Sequence, residues 1–340
     1  MFISWTDTAN LLSKLTFNRV INAVKITLSY LWSRITGTAK VFGMPVSLAI
    51  EPTTACNLRC PECPSGLRSF TRPTGKLDQS LFQKIIDELA PTTPYLIFYF
   101  QGEPYLNPQF LEMVSYASSQ NIYTATSTNA HFLDDDHCIR TIEAGLDRMI
   151  ISIDGTTQET YESYRINGSL KKVLEGTENM IKWKKKMNSS TPQILWQFLV
   201  VRPNQHQIDE VRQLARQYGV DKVALKTAQI YDYEHGNELI PTLAKYSRYT
   251  KQPEGTYKIK NQLLNHCWKM WSSCVITWDG KIVPCCFDKD ANHVMGNLQE
   301  EHFRAIWFSR PYDSFRKLLL GGRKQIDMCK NCTEGTKIWA

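Results

Sequence analysis

The chain is predicted to fold as α/β for most of its length, with a small cysteine-rich α+β segment towards its C-terminus. Three observations carry that expectation. Between Val46 and about Ile230, short apolar runs of strand length alternate with longer amphipathic stretches of helical period. Beyond them, a hairpin signal and six of the ten cysteines fall in the last quarter of the sequence. The 340 residues leave room for one large or two ordinary domains with an ample core. No internal repeat, low-complexity tract or long Pro/Gly/Ser linker is visible.

Residues 1–45 read as an N-terminal amphipathic helical segment. Leu11, Leu12, Leu15, Val20, Ile21, Val24, Leu28, Leu31, Trp32 and Ile35 recur at helical spacing. From Thr8 to Ile50 there is no acidic residue, whereas Lys14, Arg19, Lys25, Arg34 and Lys40 are present. A cationic amphipathic helix with Trp suits peripheral contact with a membrane surface. The alternative, towards which the apolar stripe leans, is packing against the protein's own barrel, since such stripes usually bury at home.

In the region 46–240, strands are expected at 46–51, 95–101, 122–127, 148–153, 194–201 and 222–226, and helices at 78–90, 108–119, 134–144, 170–187 and 206–218. Asp78 and Asp134 stand where N-caps would. Six strand–helix alternations imply parallel strands with right-handed crossovers, too few for a closed eight-fold barrel. Residues 255–340 form the second domain. There 275–278 and 281–285 flank Asp279-Gly280, a strong hairpin turn.

Candidate chemistry begins with Cys56, Cys60 and Cys63, spaced C-x3-C-x2-C. Three thiolates on one loop suit an iron–sulfur cluster, whose irons prefer soft sulfur ligands. A four-iron cluster with three protein ligands keeps one iron open to a small molecule. Cysteine-rich loops also hold zinc, but a zinc site would want a fourth ligand nearby, and none follows Cys63 closely. Further along, an apolar run ends in Gln101-Gly102-Glu103-Pro104, another in Ser152-Ile-Asp-Gly155, and Arg165 follows.

The three-cysteine run resembles the signature of radical S-adenosylmethionine (SAM) enzymes, with Glu62 where many members carry Tyr, Phe or His. Gln101–Pro104 looks like that family's G-G-E-P motif, with Gln101 for the first Gly. The resemblance implies a partial (β/α)6 TIM-like barrel with its ligand groups at the C-terminal strand ends. It also implies SAM contacts from Gly102, Glu103, Ser152 and Arg165, with Asn129 bordering the cofactor. Glu103 would meet the amino group, and Ser152 and Arg165 would hold the ribose and carboxylate; a guanidinium suits a carboxylate through its bidentate fork. The family's adenine motif is not clear near 197–202.

The C-terminal cysteines, with Gly280-Lys-Ile-Val-Pro-Cys285 and Cys329-Lys-Asn-Cys332, resemble the SPASM/twitch extension of such enzymes. That implies one auxiliary four-iron cluster held by Cys267, Cys285, Cys329 and Cys332. Cys286 could replace Cys285, and Cys274 could be an alternate ligand or a buried small hydrophobe. Zinc is the competing occupant. Cys138 reads as helix core.

The resemblance implies reductive cleavage of SAM to a 5′-deoxyadenosyl radical, which abstracts hydrogen from a substrate carbon with the auxiliary 4Fe-4S cluster assisting. A reductase or flavodoxin-type protein would donate the electron. A small molecule, sugar or lipid-linked intermediate is the expected substrate, on the strength of the single auxiliary cluster and the cationic helix; against a peptide, no added peptide-recognition domain is seen in the short helical stretch before the barrel. The alternatives are a SPASM-type peptide maturase and a non-catalytic zinc or iron–sulfur protein. Lys226, Tyr231, Asp232, Glu234 and His235 follow the sixth strand, and none is assigned as a substrate base. Basic residues do not cluster with stacking aromatics, so nucleic acid is not expected. Cluster thiolates need reducing surroundings, and no secretory signal or spanning stretch is apparent, so the expected place is the cytoplasm, with membrane association through the N-terminal helix.

Overall fold

A computed structural model describes residues 4–335. Among them are strands β1 (Ser47–Ile50), β2 (Tyr95–Phe98), β3 (Tyr123–Thr128), β4 (Arg148–Ser152), β5 (Gln193–Val200), β6 (Lys222–Thr227), β7 (Tyr249–Lys251), β8 (Tyr257–Ile259), β9 (Ser273–Ile276), β10 (Lys281–Val283) and β11 (Gly296–Asn297). The six strands expected in the barrel region are β1 to β6. The chain divides into two compact units, one from the described parts of Met1–Ala55, Phe70–Ala125 and Leu263–Ala340, the other from Cys56–Ser69 and Thr126–Gln262. β3 begins in the first and ends in the second.

In the first unit the strand order is β11-β10-β9-β1-β2. β1 runs parallel to β2 (Ser47 opposite Tyr95) and to β9 (Ser47 opposite Ser273), and β9, β10 and β11 are antiparallel. The Asp279-Gly280 turn joins β9 to β10 as expected, with Gly280 at φ +81°. Alternation puts Leu48, Ile50, Leu96 and Phe98 inside. The helix Gln79–Leu89 adds Phe82, Ile85, Ile86 and Leu89 from one face, and Asp78 caps it by accepting from Ser80 N–H at 2.8 Å. Strand pairing of β2 stops at Phe98, short of the expected 101. Gly102 stands beyond at φ +76°, where a Cβ would lie 2.1 Å from the Thr53 carbonyl oxygen, so only glycine fits.

The N-terminal stretch forms two helices, α1 (Trp5–Ser13) and α2 (Phe17–Thr36). The leaning towards a home-buried stripe is corrected here. α2 packs inward through Arg19, Asn22, Ile26, Ser29, Tyr30 and Ser33, while Phe17, Val24, Leu28, Trp32 and Ile35 face outward. The physical reason lies in the helix ends beneath it. The Arg19 guanidinium donates to the carbonyls of Ala90 (2.7 Å), Gln120 (3.1 Å) and Asn121 (2.5 Å), which follow two helix C-termini. Asn22 donates to the carbonyls of Met44 and Thr92. Carbonyls at helix ends lack intrahelical donors, so a polar face docks better there than an apolar one.

The second unit carries β4-β5-β6, all parallel, with Ser152 opposite Gln197 and Val200 opposite Thr227. A separate antiparallel pair, β7 with β8, follows them. The helix Asp135–Glu143 starts at its expected cap, Asp134, which accepts from His137 N–H at 2.8 Å, and buries Cys138. Among the described residues no helix is long and apolar enough to cross a membrane.

Candidate active site and auxiliary cysteine centre

Cys56, Cys60 and Cys63 share one loop in the second unit. Cys60 is buried and its two companions are half-buried. Leu58, Tyr164, Val201, Ile230 and Tyr249 pack around them. A Cβ on Gly66 would sit 2.5 Å from the Cys60 carbonyl oxygen, so the missing side chain lets the following turn close on the loop. Glu62 accepts from the Tyr231 N–H at 2.8 Å, tying the loop to the segment after β6.

Arg165 bridges an acid and a thiol. Its Nε donates to Asp154 Oδ2 at 2.6 Å, and its Nη1 lies 3.7 Å from Cys60 Sγ. Asp154 is fully buried, and its Oδ1 accepts from Leu199 N–H at 2.6 Å. Burial alone would lower the Arg165 pKa, but the attraction of Asp154 and Cys60 outweighs it and leaves it well above the usual value. Burial pushes the Cys60 thiol up, and the Arg165 charge works against that rise. Leu58 N–H also reaches Cys56 Sγ at 3.5 Å. A cation and an N–H directed at sulfur suit thiolates rather than thiols.

Asn129 follows β3 and donates to Asn57 Oδ1 at 2.7 Å, which places it against the cysteine loop. Ser152 closes β4 and is buried. Gly102 and Glu103 belong to the first unit, beside residues 53–55: Glu103 N–H donates to the Ala55 carbonyl at 2.8 Å, and Glu103 Oε1 accepts from Tyr105 N–H at 3.4 Å. Sequence reasoning missed Asp154 and His131. Asp154 was legible, because the two-residue strand period sets it on the same side as Ser152. His131 had no local signal. It bridges the Asn129 carbonyl (2.8 Å) and the Ser169 N–H (2.9 Å).

The second cysteine centre lies in the first unit. Cys267, Cys285, Cys329 and Cys332 line one small cavity together with Lys269 and Arg323. These are the four expected cysteines. Cys286 is exposed, and Cys274 is buried within β9. Arg323 is almost wholly buried. It donates to Cys332 Sγ at 3.3 Å and to the Glu334 and His266 carbonyls, while its buried Nε–H has no acceptor among the described residues. Glu334 N–H also reaches Cys332 Sγ at 3.3 Å. Burial pushes the Cys329 thiol up to about 11, against the pull of Arg323. A buried guanidinium with a spare N–H, facing four cysteines, fits an anionic iron–sulfur cluster, whose sulfurs accept such hydrogen bonds. Zinc would gather its thiolates at about 2.3 Å around one ion. Among the described residues no three His, Cys, Asp or Glu side chains stand close enough to hold a single ion.

Comparison with known proteins settles the family. Residues 50–194 match the radical SAM superfamily, and residues 267–333 match SPASM, an iron–sulfur cluster-binding domain. The mycofactocin maturase MftC of Mycobacterium ulcerans is 31% identical over 297 residues, which is 81% of this chain and 77% of that protein. The chain belongs to the radical SAM superfamily. It is an enzyme with a C-terminal SPASM domain, and the cofactors of its two domains are 4Fe-4S clusters and SAM. The PqqA peptide cyclase of Bradyrhizobium diazoefficiens is 26% identical over 316 residues, 87% of this chain and 80% of that one. Streptococcus suis SuiB bound to SAM superposes with a TM-score of 0.63 at 13% identity, over 91% of this chain and 76% of that one. That likeness concerns the fold, and the mostly parallel sheet with its helices is accordingly the expected partial TIM-like barrel.

Proposed function

We propose that this enzyme modifies a peptide, as a SPASM-type radical maturase. The observation that carries the reading is the likeness along 87% of the chain to a peptide cyclase. It outweighs the expectation of a small or lipid-linked substrate, which rested on the single auxiliary cluster and the cationic N-terminal helix.

In this reading Cys56, Cys60 and Cys63 hold the SAM-binding cluster, and Cys267, Cys285, Cys329 and Cys332 hold the auxiliary one. Residues 46–240 form the catalytic core and 255–340 the auxiliary domain, after an N-terminal helical segment, 1–45. When bound, the first cluster supplies the electron that splits SAM into methionine and a 5′-deoxyadenosyl radical able to take hydrogen from a substrate carbon. The chain's own side chains orient and shield. Arg165, fixed by Asp154, presents its fork to the SAM carboxylate beside Cys60. Glu103 meets the amino group, Gly102 lets the backbone approach, Ser152 holds the ribose, and Asn129 borders the cofactor. A reductase or flavodoxin-type partner delivers the electron, in the cytoplasm or at its membrane face.

The test is anaerobic reconstitution with SAM and dithionite, then chromatography for 5′-deoxyadenosine and mass spectrometry of candidate peptides encoded beside the gene. Peptide-dependent deoxyadenosine together with a peptide that has lost hydrogen supports the reading. Cleavage stimulated by a sugar or lipid-linked compound and by none of the peptides would overturn it.

A further inference from the structure

Among the described residues nothing covers the apolar outward side of α2. At about 100° per residue, Phe17, Val24, Leu28, Leu31, Trp32 and Ile35 fall within an arc of roughly 120°. Each is exposed, Phe17 by 79% and Ile35 by 84%. The buried residues Arg19, Asn22, Ile26, Ser29, Tyr30 and Ser33 centre on the opposite side. The helix is therefore fixed in rotation by its polar side, since turning the apolar stripe inward would strip the Arg19 and Asn22 donors from six backbone carbonyls. Trp5 on α1 is 91% exposed and Phe42 just past α2 is half-exposed. A contiguous apolar face of this kind marks an interaction surface.

Charge selects the partner. Lys25 and Arg34 flank the stripe on its two sides, and Lys40 follows α2, all three exposed. No acidic side chain occurs from Thr8 to Ile50 to oppose them. The twenty residues of α2 make a rod about 30 Å long, fit to lie along a surface. We propose that α2 rests in the plane of an anionic lipid bilayer, with its apolar stripe among the acyl chains and Lys25, Arg34 and Lys40 at the headgroups. Trp32, beside Ile35 on the stripe, takes the interfacial level that indole favours. This goes beyond the reaction above: vesicle binding and deoxyadenosine formation are separate readouts, and either can fail alone.

The experiment is co-sedimentation of the full, anaerobically reconstituted chain with vesicles of phosphatidylcholine alone or mixed with phosphatidylglycerol. The wild type should bind the anionic vesicles and be released by added salt. L28S/W32S/I35S, which alters only outward side chains, should lower the partition coefficient at least ~10-fold. K25E/K40E should remove the preference for the anionic lipid while leaving the circular dichroism unchanged. Binding of neither vesicle by the wild type would overturn the proposal, as would undiminished binding by the triple variant. A wild-type dimer that the triple variant turns into a monomer would also overturn it, because a second copy would then be the occupant.

Discussion

Arg165 is clamped by Asp154 at 2.6 Å, and the clamp aims the opposite edge of its guanidinium at Cys60. Asp154 is itself fixed by Leu199 N–H, so the orientation is passed from β5 through one buried carboxylate to the cysteine loop. D154N keeps the shape but removes the charge that holds the arginine. If Arg165 meets the SAM carboxylate, D154N should weaken SAM binding by roughly tenfold, about 1.4 kcal/mol, with the iron content unchanged. Equilibrium dialysis with labelled SAM reads the affinity, and an unchanged dissociation constant would remove Asp154 from the site.

The two cysteine centres should be separable. In the proposed assignment C60A removes one of three ligands of the SAM-binding cluster, so it should abolish 5′-deoxyadenosine formation and lose about four irons per chain. C329A should lose the other four and leave SAM-binding spectroscopy intact. Iron and labile-sulfide assays with electron paramagnetic resonance decide this, and a chain that binds stoichiometric zinc in place of iron would fail both expectations.

How much of this was legible depends on the length scale of the signal. The six strands and five helices expected between 46 and 226, the Asp78 and Asp134 caps and the Asp279-Gly280 turn are written in adjacent residues, and each lies within a few positions of its expected place; β7, β8 and the helix Arg310–Gly322 were not foreseen. The pairing of β9 with β1 is not, because nothing local to Ser273 says which strand edge it will join. The same holds for Arg323 and His131, whose partners are brought by the fold. The orientation of α2 failed for a different reason. Periodicity finds an amphipathic helix but says only that its sides differ; which side goes in was decided by the helix-end carbonyls that Arg19 satisfies.

His131 should give the second unit a pH-dependent stability. Its ring bridges an accepting carbonyl on Asn129 and a donating N–H on Ser169, an arrangement that only the neutral ring satisfies. Burial, the largest cause, lowers its pKa below the ordinary imidazole value of about 6.5. The unfolded chain then binds the extra proton first, so the contribution is complete above about pH 6.5 and is lost as the pH falls through the folded-state value. Urea midpoints at pH 6 and pH 8 should differ more in the wild type than in H131Q. Equal differences would assign the effect elsewhere.

The auxiliary centre offers the sharpest electrostatic test. Arg323 brings a buried positive charge and a hydrogen bond to Cys332 Sγ. A cluster gains negative charge on reduction, so both features stabilise its reduced form and raise its potential. R323Q keeps a polar side chain but removes the charge, and the auxiliary signal should move to a lower potential in a dye-mediated titration followed by electron paramagnetic resonance. R323K, which keeps the charge without the fork, should lie between the two. G335A acts on the same cavity by volume. A Cβ there would stand 2.2 Å from Cys267 Sγ on a backbone at φ +84°, so that proposed ligand must move. The variant should therefore lose auxiliary iron while C60A-sensitive SAM cleavage persists in the uncoupled reaction. If R323Q leaves the potential where it was, the guanidinium is a packing element only, and the charge balance of the four-cysteine cavity must come from Lys269.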